Sequence, residues 1–242
     1  MSTLFISDLH LCADRPQINR CFFGFLEREA RSARALYILG DLFEYWAGDD
    51  DLDDPFNAAV ATALARLTGR GVPVCLIHGN RDFVIGEAFA RASGVSLLPD
   101  PVLLNLYGQP VLLTHGDTLC TLDLEYQAFR RVARSETWIR NLLEKPLAER
   151  KATIEALRRQ SEKEKRSKPV EIMDVAPAEV EAALRRHGYP RLFHGHTHRP
   201  ARHVHMVDGH ACERWVLADW YQAGSYLACD ESGCHPVHLN AE

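Results

Sequence analysis

Short apolar runs, rich in β-branched and aromatic side chains, recur along the chain and are typical of buried strands. Most of these runs end at Gly, Asp or Asn, as strands do where they lead into loops. They predict strands at Leu4–Ser7, Ala35–Leu39, Val72–Ile77, Val102–Leu106, Val111–Thr114, Arg191–His194 and Trp215–Ala218. Between the early strands, apolar residues spaced three or four apart, as from Phe56 to Leu67, predict helices. This alternation of strands and helices predicts an α/β fold.

Two later features modify this picture. Turn-like pairs at Asp208-Gly209 and Ser232-Gly233 indicate antiparallel strands in the second half, so we expect a mixed β-sandwich flanked by helices. The stretch from Leu122 to Lys168 has apolar residues at helical spacing and few strand signals. We therefore predict one domain over residues 1–242, with a helical insertion at about 122–170 that lies beside the catalytic scaffold.

Composition and charge narrow the class of protein. Of the 242 residues, 46% are hydrophobic and 25% are charged, which is typical of a soluble globular domain. No apolar run approaches the roughly 18 residues of a membrane span, and the first residues lack the pattern of a signal peptide. Seven cysteines without a C-x-x-C pair argue against a disulfide framework or a structural zinc site, so we expect reduced thiols in the cytoplasm.

The charge is unevenly distributed. The net charge of −5 argues against general nucleic-acid binding, and no feature indicates an obligate protein partner. Between Arg130 and Lys168, however, 13 Lys/Arg face only six Asp/Glu, so this segment carries +7 and the remainder −12. Such a basic block can bind phosphates or an anionic membrane surface, but it can equally be a solvated helical face. The charge pattern alone leaves both interpretations open.

Five short motifs, each at or just after the end of a predicted strand, contain residue types that bind metals. They are Asp8-Leu9-His10, Gly40-Asp41, Gly79-Asn80-Arg81-Asp82, His115-Gly116-Asp117 and Gly195-His196-Thr197-His198. In an extended segment, residues two apart point to the same side, so Asp8 can converge with His10, and His196 with His198. Each motif alone is a weak signal, but five in order on the same kind of element predict a metal centre.

The chemistry of these residues indicates the kind of metal. Imidazole, carboxylate and one amide oxygen, without a thiolate, suit divalent ions such as Mn²⁺, Fe²⁺ or Zn²⁺. The candidate ligands are Asp8, His10, Asp41, Asn80, His115, His196 and His198. Seven ligands exceed what one ion usually takes from a protein, but they suit two ions that share a carboxylate. Paired ions of this kind activate water for the cleavage of phosphate esters and anhydrides.

The ordered set D-x-H, G-D, G-N, H-G and G-H-x-H resembles the calcineurin-like metallophosphoesterase superfamily. Most members have G-N-H at the third motif, whereas this chain has Gly79-Asn80-Arg81-Asp82. This variant, with G-D-L-F-E from Gly40 and H-G-H-T-H-R-P from His194, resembles the UDP-2,3-diacylglucosamine pyrophosphohydrolase family of lipid A biosynthesis over nearly the whole chain. Only Ala47 and Ala218 depart from the expected pattern, and neither is a candidate ligand.

The resemblance implies a function and residue roles. It implies two Mn²⁺ ions, one held by Asp8, His10, Asp41 and His198, the other by Asp41, Asn80, His115 and His196, with Asp41 bridging. The implied reaction is water attack on the α-phosphorus of UDP-2,3-diacylglucosamine, which gives UMP and 2,3-diacylglucosamine 1-phosphate. Asn80, Arg81 and His196 would act on the substrate. Further implied substrate contacts are Asp123, Ser161, Lys165 and Lys168. The helical insertion would be a lid over the acyl chains of this lipid-linked sugar nucleotide. The implied location is the cytoplasmic face of the inner membrane, with peripheral binding to its anionic surface.

Other features receive a structural interpretation. We expect His194 to support the neighbouring ligands, and His203, His205 and His210 to lie at the surface. We expect the acidic run Asp49–Asp54 to be a solvated loop that caps the following helix. Two alternative functions remain: another metallophosphoesterase, such as a nucleotide pyrophosphatase or phosphodiesterase, and a non-catalytic scaffold of the same fold. The presence of every expected ligand argues against the scaffold.

Overall fold

Two β-sheets packed face to face form the centre of the molecule in the computed structural model. The structure describes residues 1–169 and 171–239, apart from the side chains of residues 162 and 165–167. Apolar residues from both sheets, including Phe5, Leu39, Leu113 and Phe193, form one buried cluster between them. The predicted α/β sandwich with flanking helices is confirmed.

The first sheet contains six strands in the order β11-β10-β1-β2-β3-β4. Their bounds are β1 Thr3–Ile6, β2 Ala35–Ile38, β3 Val74–Ile77, β4 Ser96–Leu98, β10 Ser225–Asp230 and β11 Gly233–His238. Strands β1 to β4 are parallel, whereas β10 runs antiparallel to β1, and β11 to β10. The carboxyl ends of β1, β2 and β3 therefore lie at one edge of the sheet.

The second sheet contains five strands in the order β5-β6-β7-β9-β8. Their bounds are β5 Val102–Leu106, β6 Gln109–Leu113, β7 Arg191–His194, β8 Ala201–Val207 and β9 His210–Val216. Strands β6, β7 and β9 are parallel to one another, and β5 and β8 are antiparallel edge strands. The carboxyl ends of β6 and β7 lie together, because those strands run in the same direction.

Helices cover the outer faces of both sheets. Helices α1 (Pro16–Glu27), α2 (Pro55–Gly69) and α3 (Glu87–Ser93) bury apolar residues such as Phe22 and Leu64 against the first sheet. Helix α7 (Pro177–Arg186) packs Val180 and Leu184 against the second sheet. Proline, which has no N–H to leave unsatisfied, occupies the first turn of α1, α2 and α7.

Three consecutive helices follow the fourth motif: α4 (Leu124–Ala133), α5 (Glu136–Leu143) and α6 (Leu147–Ser167). Their positions match the stretch in which helical spacing was found in the sequence. Side chains of α6 reach back to the loop after β2, where Arg150 binds Asp50 and Arg158 binds Glu44. The three helices therefore lie beside the ends of the first-sheet strands. In the described residues, none of the helices is long and apolar enough to cross a membrane.

The strand predictions were incomplete in the second half of the chain. The hairpins at Asp208-Gly209 and Ser232-Gly233 are confirmed, but all of β8, β10 and β11, most of β9 and, earlier in the chain, all of β4 lie outside the predicted runs. The expectation of seven reduced cysteines is wrong for one pair, because the structure joins Cys229 and Cys234 in a disulfide. These two residues face each other across the β10–β11 hairpin, which the sequence spacing alone did not reveal.

Candidate metal centre

The five metal-binding motifs converge where the strands of the two sheets end. Asp8, Asp41 and Asn80 follow β1, β2 and β3, while His115 and His196 follow β6 and β7. Eight described residues other than glycine have a positive φ, and five of them are predicted ligands: Asp8, His10, Asp41, His196 and His198. A positive φ strains the backbone of a non-glycine residue, and such strain is typical of functional sites. The chain is therefore bent at these positions to present side chains inward.

The first group of side chains contains Asp8, His10 and His198. The Nε2 atom of His198 lies 3.3 Å from Oδ1 of Asp8 and 3.4 Å from Nε2 of His10. One potential ligand atom from each of these residues lies within 4.8 Å of the others. This spacing is compatible with a single ion between the three.

The second group is built around Asn80. Its Oδ1 atom lies 3.0 Å from Nε2 of His115 and 2.8 Å from Nδ1 of His196. An amide oxygen and two imidazole nitrogens therefore point at one place. The backbone N–H of His196 also donates to Oδ2 of Asp8, which joins this group to the first.

The Asp41 carboxylate lies between the two groups. Its Oδ2 is 3.8 Å from Nε2 of His10, and its Oδ1 is 3.8 Å from Nε2 of His115. A carboxylate can place one oxygen on each of two ions, so Asp41 is the residue suited to bridge them. A side-chain carbon at Gly79 would collide with this carboxylate, which explains why the third motif begins with glycine.

The electrostatics of the centre fit bound cations. Asp8, His10, Asp41 and His115 are all at most 2% exposed, and Oδ1 of Asp8 is buried without a hydrogen-bond partner. Burial raises the pKa of Asp41 to about 7, since a buried anion is poorly solvated. Burial lowers the pKa of His115, but the charges of Asp41 and Asp8 outweigh it and raise that pKa to about 9. Carboxylates, imidazoles and an amide that lie buried this close together suit divalent metal ions.

Residues implied to contact the substrate lie in two places. Asn80, Arg81 and His196 belong to the centre itself, and the Arg81 backbone N–H donates to Oδ1 of Asp41. Asp123 accepts the N–H of Tyr126 at the start of α4 and binds Lys168 at 2.7 Å. Ser161 is half-buried on α6. Lys165 is on the same helix, but its side chain lies outside the described residues.

Asp82 has a structural role that sequence reasoning missed. Its carboxylate is fully buried and accepts backbone N–H groups of Gly79, Leu42, Asp41 and Phe43. In the sequence, the position of Asp82 within the third motif was the one feature that could have indicated this role.

Glu44 is a second missed residue. It lies 3.5 Å from Nδ1 of His10, lies 3.9 Å from Nη1 of Arg81 and binds Arg158. It thus connects a candidate metal ligand, a candidate substrate residue and helix α6. Its position two residues after the G-D-L motif was noted in the sequence, but its long-range partner on α6 was not predictable from spacing.

The histidines outside the candidate ligand set differ in their burial and their partners. His194 is buried and accepts a hydrogen bond from Arg214 at 3.1 Å, outside the ligand groups. His203 and His210 are exposed as predicted, whereas His205 is half-buried and accepts from Arg214.

The acidic run is not simply a solvated loop. Asp54 does cap α2, as expected. Asp49, however, accepts N–H groups of Ala88 and Phe89 at the start of α3, and Asp51 is buried and paired with Lys151 of α6. These carboxylates bind neighbouring helices, and their partners are too distant in sequence for local patterns to indicate.

Known proteins resemble this chain along almost its whole length. A family model described as calcineurin-like phosphoesterase matches residues 1–200. A UDP-2,3-diacylglucosamine hydrolase from Aromatoleum aromaticum is 58% identical, with 99% of this chain and 97% of the relative covered. Proteins of the same name from Aeromonas salmonicida and Pseudomonas paraeruginosa are 54% and 52% identical. They cover 95% and 96% of this chain, and 90% and 97% of their own lengths.

Proposed function

Since this chain belongs to the calcineurin-like phosphoesterase family and, within it, to the family of the UDP-2,3-diacylglucosamine hydrolases, we propose that it hydrolyses the diphosphate bond of UDP-2,3-diacylglucosamine. The products are UMP and 2,3-diacylglucosamine 1-phosphate, an intermediate of lipid A biosynthesis. The observation that best supports this proposal is the convergence of six candidate ligand side chains into two groups on either side of a seventh, Asp41.

The proposed metal ligands follow from this arrangement. Asp8, His10 and His198 would hold one ion, and Asn80, His115 and His196 would hold the other. Asp41 would bind both. We propose Mn²⁺ as the metal, as the family resemblance implies; the mixed oxygen and nitrogen set without thiolate suits Mn²⁺, Fe²⁺ and Zn²⁺ alike. The buried Oδ1 of Asp8, which has no hydrogen-bond partner, would be available to an ion in the first group.

The side chains around the centre position the diphosphate. A bound metal pair supplies the charge that orients a phosphate, lowers the pKa of water and stabilises the entering and leaving oxygens. Asn80 and His196 border the place of the α-phosphate, which water attacks. The Arg81 guanidinium donates paired hydrogen bonds to phosphate oxygens and neutralises their charge as the P–O bond opens. The leaving sugar phosphate is a weak base, so it needs little protonation.

Helices α4 to α6 provide the binding surface for the lipid part. Asp123, Ser161, Lys165 and Lys168 contact the sugar and its phosphate, while apolar side chains receive the acyl chains. Exposed apolar residues on and near α4 and α5 are Leu122, Leu124, Phe129, Val132 and Leu143. Exposed apolar side chains clustered on one segment are typical of lipid or partner binding sites.

The enzyme has to act at a membrane surface, because the acyl chains of its substrate lie in a bilayer while the diphosphate lies in water. We propose peripheral binding to the cytoplasmic face of the inner membrane. The basic segment contributes less than its formal +7, since carboxylates pair with Arg130, Arg134, Arg150, Lys151, Arg158 and Lys168. Arg159 pairs with Glu155 on α6. Among the side chains of this segment that the structure describes, four further exposed cations face outward and can meet anionic lipid: Arg131, Arg140, Lys145 and Lys163.

A product assay with two substrates tests the proposal. The purified protein with Mn²⁺ is given UDP-2,3-diacylglucosamine in mixed micelles or soluble UDP-N-acetylglucosamine, and UMP is measured. We expect rapid release of UMP from the lipid substrate and much slower release from the soluble one. Equal rates would favour a general nucleotide pyrophosphatase, and absence of UMP from both, with metal bound, would favour a non-catalytic scaffold.

A further inference from the structure

Helix α4 contacts the loops that carry one group of candidate ligands. Arg134 donates to the backbone oxygen of Gly79 at 2.9 Å, immediately before Asn80. The same guanidinium lies 3.3 Å from Oδ2 of Asp117, two residues after His115. The Arg134 side chain therefore joins the loop that carries Asn80 to the loop that carries His115.

Asp117 is the main attachment point of α4. This carboxylate is fully buried and accepts hydrogen bonds from the hydroxyl of Tyr126 at 2.9 Å and from Nε of Arg130 at 2.7 Å. Its backbone oxygen also accepts from Gln127 at 2.8 Å. Three side chains of α4, together with Arg134 directly after its last residue, thus bind the single residue that ends the His115-Gly116-Asp117 motif.

The third ligand of this group also touches α4. The Tyr126 ring lies against the His196 imidazole, with ring centroids 5.8 Å apart and an angle of 31° between the planes. All three residues that would hold only the second ion therefore have α4 beside them or beside their loop.

The first group of ligands is supported by other elements. Arg15 at the start of α1 donates to the backbone oxygens of His10 and Trp220. The Tyr221 ring stacks on His10 at 5.0 Å, with the planes 11° apart. These supports lie at the start of α1 and in the loop after β9, and Glu44, which Arg158 of α6 binds, also lies beside His10; none of them belongs to α4.

We propose that helix α4 is a structural part of the second metal site, so that metal held by Asn80, His115 and His196 and the docking of α4 stabilise each other. This inference rests on the proposed function only through the assignment of two metal sites. Coupling between two binding events is reciprocal, so the factor by which α4 strengthens the second metal is the factor by which that metal strengthens α4. The first group has no such contact with α4, so we expect α4 to affect the first ion less than the second.

Titration with metal tests one direction of the coupling. Chelator-treated full-length protein is dialysed against Mn²⁺, and bound Mn²⁺ per chain is counted for the wild type, Arg134→Met and Arg131→Met. Arg131 is on the same helix but exposed, so it controls for the loss of charge. We expect Arg134→Met to bind the second ion roughly 10–100-fold more weakly, the range for loss of a residue that supports metal ligands. The first ion should be weakened much less than the second, and the control should behave like the wild type. Unchanged binding of the second ion, or equal weakening of both, would overturn the proposal.

Hydrogen exchange tests the other direction. In the wild type and in Arg131→Met, Mn²⁺ should slow exchange of the α4 amides, and this protection should be smaller in Arg134→Met. Tyr126→Phe, which keeps the ring and loses one hydrogen bond to Asp117, should weaken the second ion only a few-fold and serves if Arg134→Met does not fold. The same protection in all variants would contradict the coupling. Neither measurement uses the substrate, so either can fail while the proposed reaction stands.

Discussion

The carboxylate of Asp82 accepts a hydrogen bond from the backbone N–H of Leu42 at 2.7 Å. This bond joins the loop after β2, which carries Asp41, to the loop after β3, which carries Asn80. Three further N–H groups, from Gly79, Asp41 and Phe43, point at the same buried carboxylate. Asp82 therefore fixes the distance between the Asp41 carboxylate and the Asn80 amide, which we propose as the bridging ligand and a ligand of the second ion.

Removal of the Asp82 carboxylate should destabilise the whole fold. Asp82→Ala leaves buried N–H donors without acceptors, and each hydrogen bond to a charged group contributes about 1.5–3 kcal/mol. We expect the free energy of unfolding to fall by at least about 3 kcal/mol, measured by urea denaturation. The matched control is Asp53→Ala, at an exposed position. A loss within about 0.5 kcal/mol of that control, the usual range for surface substitutions, would show that Asp82 is not such an anchor.

Asp41 and His198 should differ in their effect on metal content. Asp41→Ala removes the ligand that both ions share, whereas His198→Ala removes one ligand from one ion. Loss of Asp41 should therefore remove more bound Mn²⁺ than loss of His198, as counted by elemental analysis after gel filtration. Two ions per chain in Asp41→Ala would rule out the bridging role.

Arg81 should act in turnover and not in metal binding. Its side chain is 8% exposed and sits beside the centre, with Nη1 3.9 Å from Oε1 of Glu44. Arg81→Ala should keep both metals and lower kcat by roughly 10²–10³, the range for loss of one donor to the transition state. Arg81→Lys should recover only part of the rate, since an ammonium cannot donate the paired hydrogen bonds of a guanidinium. Near-normal turnover of a metal-replete Arg81→Ala enzyme would exclude this role.

Binding to anionic vesicles should depend on four exposed cations of the helical segment. Replacement of Arg131, Arg140, Lys145 and Lys163 with Gln should weaken sedimentation with phosphatidylglycerol vesicles. Each such cation contributes about 1 kcal/mol near an anionic surface, and the effect should shrink as salt rises. The control makes the same charge change at exposed positions elsewhere: Arg20, Arg31, Arg91 and Arg186. Equal loss in both variants would mean that no particular face meets the membrane.

Local patterns predicted most strands in the first half of the chain and the convergence of the candidate ligands. Strands such as Ala35–Ile38 are short apolar runs followed by glycine or aspartate. Both the spacing of the apolar residues and the residues that end the run can be recognised in the sequence. The seven candidate ligands converge as expected because the carboxyl ends of parallel strands share an edge. Strand β8 escaped prediction because it is an exposed edge strand, with few buried positions to create a pattern.

The supports of the centre could not be predicted, because they depend on contacts between distant segments. Asp117 was visible as the end of a motif, but its partners Tyr126, Arg130 and Arg134 are defined only once α4 lies against the sandwich. Glu44 and Arg158 are 114 residues apart in the sequence. From the charge count alone, the basic block between Arg130 and Lys168 could bind phosphates or an anionic membrane, or face the solvent. In the structure, several of its cations instead pair with carboxylates near the centre, as Arg134 does with Asp117 and Arg158 with Glu44.

Hydrolysis in ¹⁸O-labelled water tests the central claim most directly. The Mn²⁺-loaded protein is incubated with UDP-2,3-diacylglucosamine in labelled water, and both products are weighed by mass spectrometry, with Asp41→Ala as the inactive control. The account predicts one ¹⁸O atom in UMP and none in 2,3-diacylglucosamine 1-phosphate, because water attacks the α-phosphorus. Label in the lipid product instead, or no cleavage by protein that holds both metals, would contradict it.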